Sequence, residues 1–412
     1  MIPAPSLQIL VPALHRQWLY CFQNPNVDII KLDFTFEAGS AYQWQLSQAH
    51  AANQLLGEAT ALHSAPDIAE FLDFRGIVVE RLADVCQGNI SFYFLRKYAE
   101  ELFPLLREMF DHSLITSQLF EAYVGRRRQA IATGFQRTNY MARNRFYELL
   151  YGSDHPLGCY ASPDDLDRLT LDAVAEFQRR YYSLDNAHVV ISGNIDSNLL
   201  SLADHYLAPT GNSQPQRIVL SPPRPGKQES TVIMPSAVQS TVRIGSILPF
   251  FWSDMEYARF MVLNTILGGY FGSRLMSNIR EDKGYTYGIY SQTQIFRGSI
   301  VFYITADVDA RATCPTIEEV SREMEILQRN PVPEEELERV RNVMMGDFIR
   351  SIDGTFEISE RYRQMVSTGV TEQFSVNFLD AVQHVTPAEL QCLAQQCFNG
   401  LTTVVAGPAD SQ

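Results

Sequence analysis

An internal duplication is the feature that most constrains how this chain can fold. Residues 169–196, LTLDAVAEFQRRYYSLDNAHVVISGNID, share a pattern with residues 385–410, VTPAELQCLAQQCFNGLTTVVAGPAD, at an offset of about 215 residues. Both segments predict a helix with a threonine N-cap, a short turn, an apolar strand, and then a glycine and an acid. The matched positions have similar side chains: Thr170 and Thr386, Val174 and Leu390, Phe177 and Leu393, Tyr182 and Phe398, Gly193 and Gly407, and Asp196 and Asp410. The pattern predicts an α+β unit of about 200 residues that occurs twice.

A stretch rich in proline and glycine separates the two copies. Residues 208–230 hold five prolines and two glycines, a composition typical of a surface connection and not of a core. We therefore predict a first domain over residues 1–210, a linker over 211–230 and a second domain over 231–412.

Strands and helices follow one another in runs within each half. Residues 27–37 alternate like a strand, and residues 95–113 carry an apolar helical face that Pro104 is expected to kink or divide. The second half predicts strands, helices and a strand hairpin in turn: 231–248, 254–280 and 284–307. Such runs favour an α+β fold over a doubly wound α/β fold.

Charge and composition exclude several classes of function. The net charge of −14 disfavours nucleic acid and anionic membrane surfaces as partners. The basic triplet Arg126–Arg128 is interpreted as a solvated helix face. No run of about 18 apolar residues predicts a transmembrane helix, and residues 1–18 lack the pattern of a signal peptide. The six scattered cysteines show no CxxC spacing. We therefore expect free thiols in a cytoplasmic protein.

The segment QAHAANQLLGEAT, residues 48–60, decides whether the chain is an enzyme. His50, Asn53 and Gln54 lie at i, i+3 and i+4 of a predicted helix and share one face. An inverted zinc-peptidase motif requires His-x-x-Glu-His at these positions. Asn53 accepts no proton at neutral pH, and the amide of Gln54 is a poor zinc ligand.

Other ligands for such a site are lacking in the sequence. His63 and Glu58 do not stand on the required helical face at the required spacing. A carboxylate is also needed as third protein ligand, but no Asp, Glu or His occurs between Ala122 and Tyr147. The residues alone favour a structural role for His50, and a rebuilt metal site remains the alternative.

Beyond these residues, the whole chain resembles the insulinase/pitrilysin-type metallopeptidases, which include the mitochondrial processing peptidase subunits. The most specific match is LGGYFGSRLMSNIREDKGYTYGIYS, residues 267–291, which is similar to the signature of the second half in that family. Further segments resemble the family in the same order along the chain: 57–60, 69–80, 144–158 and 181–196. HAANQ stands where the family has HxxEH, so the chain resembles the non-peptidase members that pair with an active subunit.

The resemblance implies a fold and a role. It implies two duplicated insulinase-type α/β domains in a clamshell arrangement, each an antiparallel-rich sheet packed with helices. It also implies that Arg280 and Tyr287 contact a peptide substrate near the scissile bond. A guanidinium and a phenol suit that task, because both donate hydrogen bonds to a carbonyl oxygen on which negative charge develops. A helix C-cap and a hairpin tyrosine are the structural alternative.

We therefore expect a catalytically inactive subunit of a zinc metallopeptidase. It has no catalytic residue and no metal of its own, and zinc is expected only in a partner that carries HxxEH. The expected partners are that subunit in a heterodimer or a second copy in a homodimer, together with peptide substrates. The alternatives are a divergent zinc-dependent endopeptidase that uses His50, and a non-proteolytic peptide-binding or scaffold protein.

Overall fold

The computed structural model of the chain describes residues 12–16, 18–211, 217–218, 220, 223 and 228–409. The elements of the first half are β1 (Ala13–His15), β2 (Leu19–Gln23), β3 (Ile29–Phe36), α1 (Gln48–Leu55), α2 (Ala65–Phe74), β4 (Val78–Ala83), β5 (Gly88–Leu95), α3 (Ala99–Asp111), α4 (Ser117–Phe135), α5 (Thr138–Tyr151), α6 (Leu171–Tyr181), β6 (Ala187–Gly193) and α7 (Ser197–Tyr206). Those of the second half are β7 (Glu229–Ile233), β8 (Gln239–Ile247), α8 (Met255–Asn264), β9 (Thr286–Phe296), β10 (Ser299–Asp309), α9 (Thr313–Arg329), α10 (Glu334–Arg350), α11 (Thr355–Thr368), α12 (Glu372–His384), α13 (Pro387–Cys397) and β11 (Thr402–Gly407).

Two mixed sheets with the same topology organise the chain. The first sheet has the order β1-β2-β6-β3-β5-β4, and the second has the order β7-β11-β8-β10-β9. In the first sheet, β6 pairs parallel with β2 and antiparallel with β3. In the second sheet, β11 likewise pairs parallel with β7 and antiparallel with β8. Most other pairs are antiparallel, and helices pack on both sheets. The α+β fold class with two antiparallel-rich sheets is confirmed.

The repeated helix–strand segment occupies equivalent places in the two halves. α6 leads into β6, and α13 leads into β11. The hydroxyl of Thr170 accepts a hydrogen bond from the Ala173 N–H at 3.3 Å, and Thr386 accepts one from the Glu389 N–H at 3.3 Å. Glu389 also accepts from the backbone N–H of Thr386 at 2.9 Å, which completes a capping box. Asp410, the last matched residue, lies outside the described ranges.

An apolar core covers one face of each sheet. In the first half, Leu32 and Phe34 of β3 pack with helix α3, whose Leu102, Phe103 and Leu106 are fully buried. α3 runs unbroken from Ala99 to Asp111 with Pro104 inside it, so the expectation that the proline divides the helix is wrong. The buried residues on either side hold the helix against the sheet, which offsets the one backbone hydrogen bond that a proline removes.

The other face of each sheet is covered by a helix from the opposite half. α5 packs on the strands of the second sheet, where Phe146 and Leu150 are buried with Val301 and Val404. α11 in turn packs on β2, β3 and β6 of the first sheet. Each sheet is therefore covered on this face by a helix of the other half, so the two halves are interlocked.

Charged residues fill the contact between α11 and the first sheet. Lys31 and Asp33 of β3 are 2 % and 0 % exposed, and their charged atoms lie 3.3 Å apart. The Lys31 ammonium also lies 3.2 Å from the carboxylate of Glu360 on α11, to which Arg363 donates two hydrogen bonds. Burial raises the pKa of Asp33, and the Lys31 ammonium opposes that shift only in part.

Most of the predicted linker lies outside the described residues, and the predicted domain boundaries stay a prediction. All six cysteines are described, and each is a free thiol. Within the described ranges, no helix combines the length and the apolar character that a membrane crossing demands.

Candidate functional site

Helix α1 presents the altered metal motif beside the edge of the first sheet. Its N-terminal turn is fixed by Gln48, which is fully buried and donates to the carbonyl of Ala173 at 2.9 Å. Ala51 and Ala52 are fully buried, so the helix lies close against its neighbours β4 and α6. This packing fixes the directions in which His50, Asn53 and Gln54 point.

His50 faces helix α4 and not a cluster of ligands. Its Nδ1 lies 2.8 Å from the hydroxyl of Tyr123, and the two ring centroids are 5.8 Å apart. Burial and, to a smaller extent, the nearby positive charge of Arg127 together lower the pKa of His50 to about 4. The imidazole is therefore neutral at physiological pH and stands beside an arginine.

The two amides that follow are bound to the sheet. Asn53 is fully buried and donates from Nδ2 to the carbonyl of Asn89 at 3.1 Å. Gln54 donates to the side-chain oxygen of Asn53 at 3.2 Å and to the carbonyl of Arg81 on edge strand β4 at 3.3 Å. The side chains of Asn53 and Gln54 therefore form hydrogen bonds that hold α1 against β4 and β5.

The residues around His50 do not fit a zinc ion. Tyr123 and Arg127 approach it from α4, and a guanidinium repels a divalent cation. Glu58 is paired with Arg81 at 3.1 Å, and His63 lies 2.9 Å from Glu108. Nowhere in the described part of the chain do three or more His, Cys, Asp or Glu side chains gather as a metal site would require.

A cavity of about 640 Å³ opens in front of His50 between the two halves. α1, α4 and α5 line it from the first half, and the end of β9 lines it through Gln294 and Phe296. Tyr147 spans the border by donating a hydrogen bond to the Gln294 side chain at 2.7 Å. The cavity is therefore built from both halves and depends on how they pack together.

An ion pair fixes the two walls of this cavity. Arg297, directly after β9, donates to both carboxylate oxygens of Glu37 at 2.7 and 3.0 Å. The hydroxyl of Tyr42 donates to the same carboxylate at 2.7 Å. Burial alone would raise the pKa of Glu37, but the hydrogen bonds from Arg297 and Tyr42 lower it below its usual value. The pair is therefore ionised at neutral pH.

Arg280 and Tyr287 stand elsewhere, at the start of β9. Arg280 belongs to the helical turn Met276–Asp282, and its guanidinium lies 4.6 Å from the centre of the Phe271 ring. Gly284, with a φ of +66°, reverses the chain between that turn and the strand. Tyr287 is 93 % exposed. The two residues predicted from the sequence thus occupy one end of an edge strand.

That end of the strand is far from the cavity. Tyr287 and Gln294 are separated by about 23 Å along β9, at about 3.3 Å per residue. Gln294 lines the cavity that contains His50. Arg280 and Tyr287 therefore do not meet the His50 region of their own chain.

Two residues near His50 were missed in the sequence analysis. Tyr123 and Arg127 are four residues apart on α4, so they share the helix face toward α1. The triplet was interpreted as a solvated face, and Arg128 does pair with Asp167 at the surface. For Arg127 that interpretation is wrong, because its side chain lines the cavity. The i, i+4 spacing of a tyrosine and an arginine was the signal available.

Comparison with known proteins shows a resemblance to one family. Residues 168–344 match the family described as "Peptidase M16 inactive domain". A crystal structure of a peptidase M16 inactive domain from Pseudomonas fluorescens superposes with a TM-score of 0.83 at 20% identity, over 95% of this chain and 96% of that one. Residues 168–344 therefore resemble the M16 peptidases, and the superposition shows the same fold over 95% of the chain. This confirms the resemblance to insulinase/pitrilysin-type metallopeptidases with an altered HxxEH motif.

Relatives of the chain include proteins named as proteases and a protein named as an inactive metalloprotease. It is 22% identical to "Uncharacterized zinc protease YmxG" of Bacillus subtilis, over 81% of each chain. It is 20% identical to "Probable inactive metalloprotease YmfF" of the same organism, over 71% of this chain and 72% of that one. The structure of the periplasmic protease PqqL from Escherichia coli superposes with a TM-score of 0.76 at 14% identity, over 95% of this chain but 44% of PqqL. These matches show that the chain resembles M16 peptidases, including a relative named as inactive.

Proposed function

We propose that this chain is the non-peptidase subunit of a zinc metallopeptidase of the M16 type. It pairs with a chain that carries an intact HxxEH motif and contributes Arg280 and Tyr287 to a peptide bound at the partner's metal. The observation that supports this most is the position of Tyr287, 93 % exposed at the open end of β9 and remote from its own His50. A large aromatic side chain held in solvent is typical of a surface that a partner or ligand covers.

The chemistry of this end of β9 suits a peptide carbonyl. Phe271 is 61 % exposed and lies under the Arg280 guanidinium, which limits the directions in which the donors of Arg280 point. The guanidinium offers a rigid fork of N–H donors, and the phenol of Tyr287 offers one O–H. Directed at a carbonyl oxygen, these donors orient the peptide and stabilise the negative charge that develops when water attacks.

The size of the unit also favours pairing. This fold accounts for 44% of the PqqL chain, which leaves room there for a second unit of the same size. Pairing with another chain would bring two such units together in the same way. The residues around His50 do not fit zinc, so the metal would belong to the partner.

Mixing the chain with an HxxEH chain of similar length from the same organism tests the proposal. We expect a complex in which Arg280→Ala or Tyr287→Ala lowers the peptidase kcat/KM about 100-fold, as expected when an oxyanion donor is removed. Arg350→Ala is the matched control, because Arg350 is an exposed arginine of the same half that pairs only with Asp347. His50→Ala should leave the metal content of the complex unchanged.

Two outcomes would contradict the proposal. If the complex forms but Arg280→Ala and Tyr287→Ala leave the rate unchanged, the trans role is wrong. If sedimentation detects only a homodimer in the mixture, pairing with an HxxEH chain is wrong and the scaffold alternative replaces it.

A further inference from the structure

The cavity in front of His50 is basic, although the chain as a whole is acidic. The sequence has 33 Lys and Arg against 47 Asp and Glu. The described residues that line the cavity nevertheless include Arg127, Arg143 and Arg297, with Asp84 as the acid among them. Arg297 is neutralised by Glu37, whereas Arg127 and Arg143 add positive charge to the cavity. The local field therefore favours an anion where an active peptidase would hold a cation.

Hydrogen-bond donors of this lining lack acceptors. The Nε atom of Arg127 and the Nδ2 atom of Asn144 are both buried and have no partner among the described residues. Asp84 does not supply one: its Oδ1 accepts from the backbone N–H groups of Cys86 and Gln87 at 2.7 and 2.6 Å, and its Oδ2 accepts from the Ser367 hydroxyl at 3.4 Å. Buried donors without acceptors are rare in proteins, so the cavity is built for a ligand rich in acceptors.

The rest of the lining is apolar and reaches an open strand edge. Ile131, Leu157 and Phe296 line the cavity together with Leu82, which stands near the end of edge strand β4. The free edge of β4 offers backbone donors and acceptors to an extended chain. A volume of about 640 Å³ is large enough for several side chains of a ligand and is much larger than a small ion needs.

We propose that this cavity binds a carboxylate of a peptide, with Arg127 and Arg143 as the groups that recognise it. The carboxylate is that of an acidic side chain or of the peptide C-terminus. The inference rests on the peptide-binding part of the proposed function, and it does not require a partner subunit. Arg127 and Arg143 donate to the carboxylate, Asn144 donates a further hydrogen bond, and the aliphatic lining covers the neighbouring side chains.

Fluorescence anisotropy of the isolated chain with four forms of one labelled hexapeptide tests the inference. The probe is fluorescein-Gly-Ser-Leu-Thr-Leu-Glu, with either Glu or Gln at the last position and with either a free or an amidated C-terminus. We expect the form with both carboxylates to bind at least about tenfold more tightly than the form with none, since a charge-assisted hydrogen bond is lost. The two intermediate forms show which of the two carboxylates is recognised.

Variants of three arginines assign the effect to the cavity. Arg127→Gln should abolish the difference between the charged and neutral peptides, and Arg143→Gln, at an exposed position, should reduce it with little risk to folding. Arg126→Gln is the matched control, because it makes the same charge change one residue away and Arg126 does not line this cavity. Thermal unfolding of each variant checks that the fold is retained.

The inference is overturned if all four peptides bind alike, if Arg127→Gln and Arg143→Gln keep the full difference, or if the doubly charged peptide shows no saturable binding up to about 1 mM. Each of these results is obtained without a partner chain. A negative result in the peptide-binding experiment therefore does not bear on the proposed trans role of Arg280 and Tyr287. A negative result in the pairing experiment likewise does not bear on carboxylate binding in the cavity.

Discussion

Arg297 and Glu37 lie 260 residues apart in the sequence and form a two-point ion pair between the halves of the chain. The Glu37 carboxylate is almost completely buried and also accepts from Tyr42. A buried charge that loses its partner is costly, since water no longer reaches it. The pair therefore holds the cavity walls together and makes each half depend on the other.

Removing one member of this pair should destabilise the fold. We expect Arg297→Ala to lower the free energy of unfolding by about 3 kcal/mol, because the buried Glu37 carboxylate loses its two-point partner and keeps only the exposed Arg217, 3.6 Å away, as a cation. Urea unfolding followed by circular dichroism measures the change. Arg339→Ala, which removes an exposed partner of Glu335, is the control and should cost less than about 1 kcal/mol. Equal losses in the two variants would mean that the Glu37 pair does not lock the halves.

Glu360 predicts a loss of stability in strong acid. Burial opposes its ionisation, but hydrogen bonds from Arg363 and the charges of Arg363 and Lys31 lower its pKa from 4.5 to about 2. A carboxyl whose pKa is lower in the folded state stabilises the fold above pH 4.5, and this contribution is lost as the pH falls to about 2. Urea midpoints of Glu360→Gln should change less across that window than those of the unmodified chain. Parallel curves would show that Glu360 is not held by Arg363 in solution.

The lowered pKa of His50 predicts a second pH range in which the stability of the fold changes. Burial and the charge of Arg127 lower its pKa from 6.5 to about 4. Between these values the unfolded chain binds a proton that the folded chain does not, so stability falls as the pH is lowered from 6.5 to 4. Carbon-13 NMR of the labelled imidazole should show a midpoint near 4. Arg127→Gln should move that midpoint upward, whereas Arg126→Gln should not. A midpoint near 6.5 would mean that His50 is open to solvent.

Metal analysis should find no stoichiometric zinc in the purified chain. His50 is bound to Tyr123 and stands beside Arg127, and both amides are used in bonds to the sheet. We expect plasma mass spectrometry to give less than about 0.1 zinc per chain. The same should hold for the double variant Asn53→Glu/Gln54→His, which restores two histidine ligands but still lacks the carboxylate that serves as the third protein ligand. Zinc at one equivalent that is lost on His50→Ala would support a divergent metallopeptidase instead.

Local patterns predicted much of the fold. The segment 169–196 and its repeat carry their own caps and apolar strands, so the duplicated α6-β6 and α13-β11 units follow from neighbouring residues. The alternation over residues 27–37 likewise predicts β3. β4 was missed because an edge strand exposes half of its residues, so its sequence VVERLA lacks the apolar character of a buried strand.

Contacts between distant residues were beyond such reasoning. The lone histidine and its two amides were recognised from spacing, but Tyr123 and Arg127 act on His50 only after α4 has packed against α1. The pairing of Glu37 with Arg297 likewise arises from the arrangement of the two halves. No pattern of neighbouring residues encodes these contacts, because they depend on tertiary packing.

The exchange of α5 and α11 limits where this protein can open. α5 is anchored in the second sheet by Phe146 and Leu150, and α11 is anchored on the first by the charges around Lys31. Separating the two halves would remove α5 and α11 at the same time from the sheets that they cover. We therefore expect the two halves of one chain to move as a single rigid body, and in the proposed heterodimer a peptide would enter between the two chains.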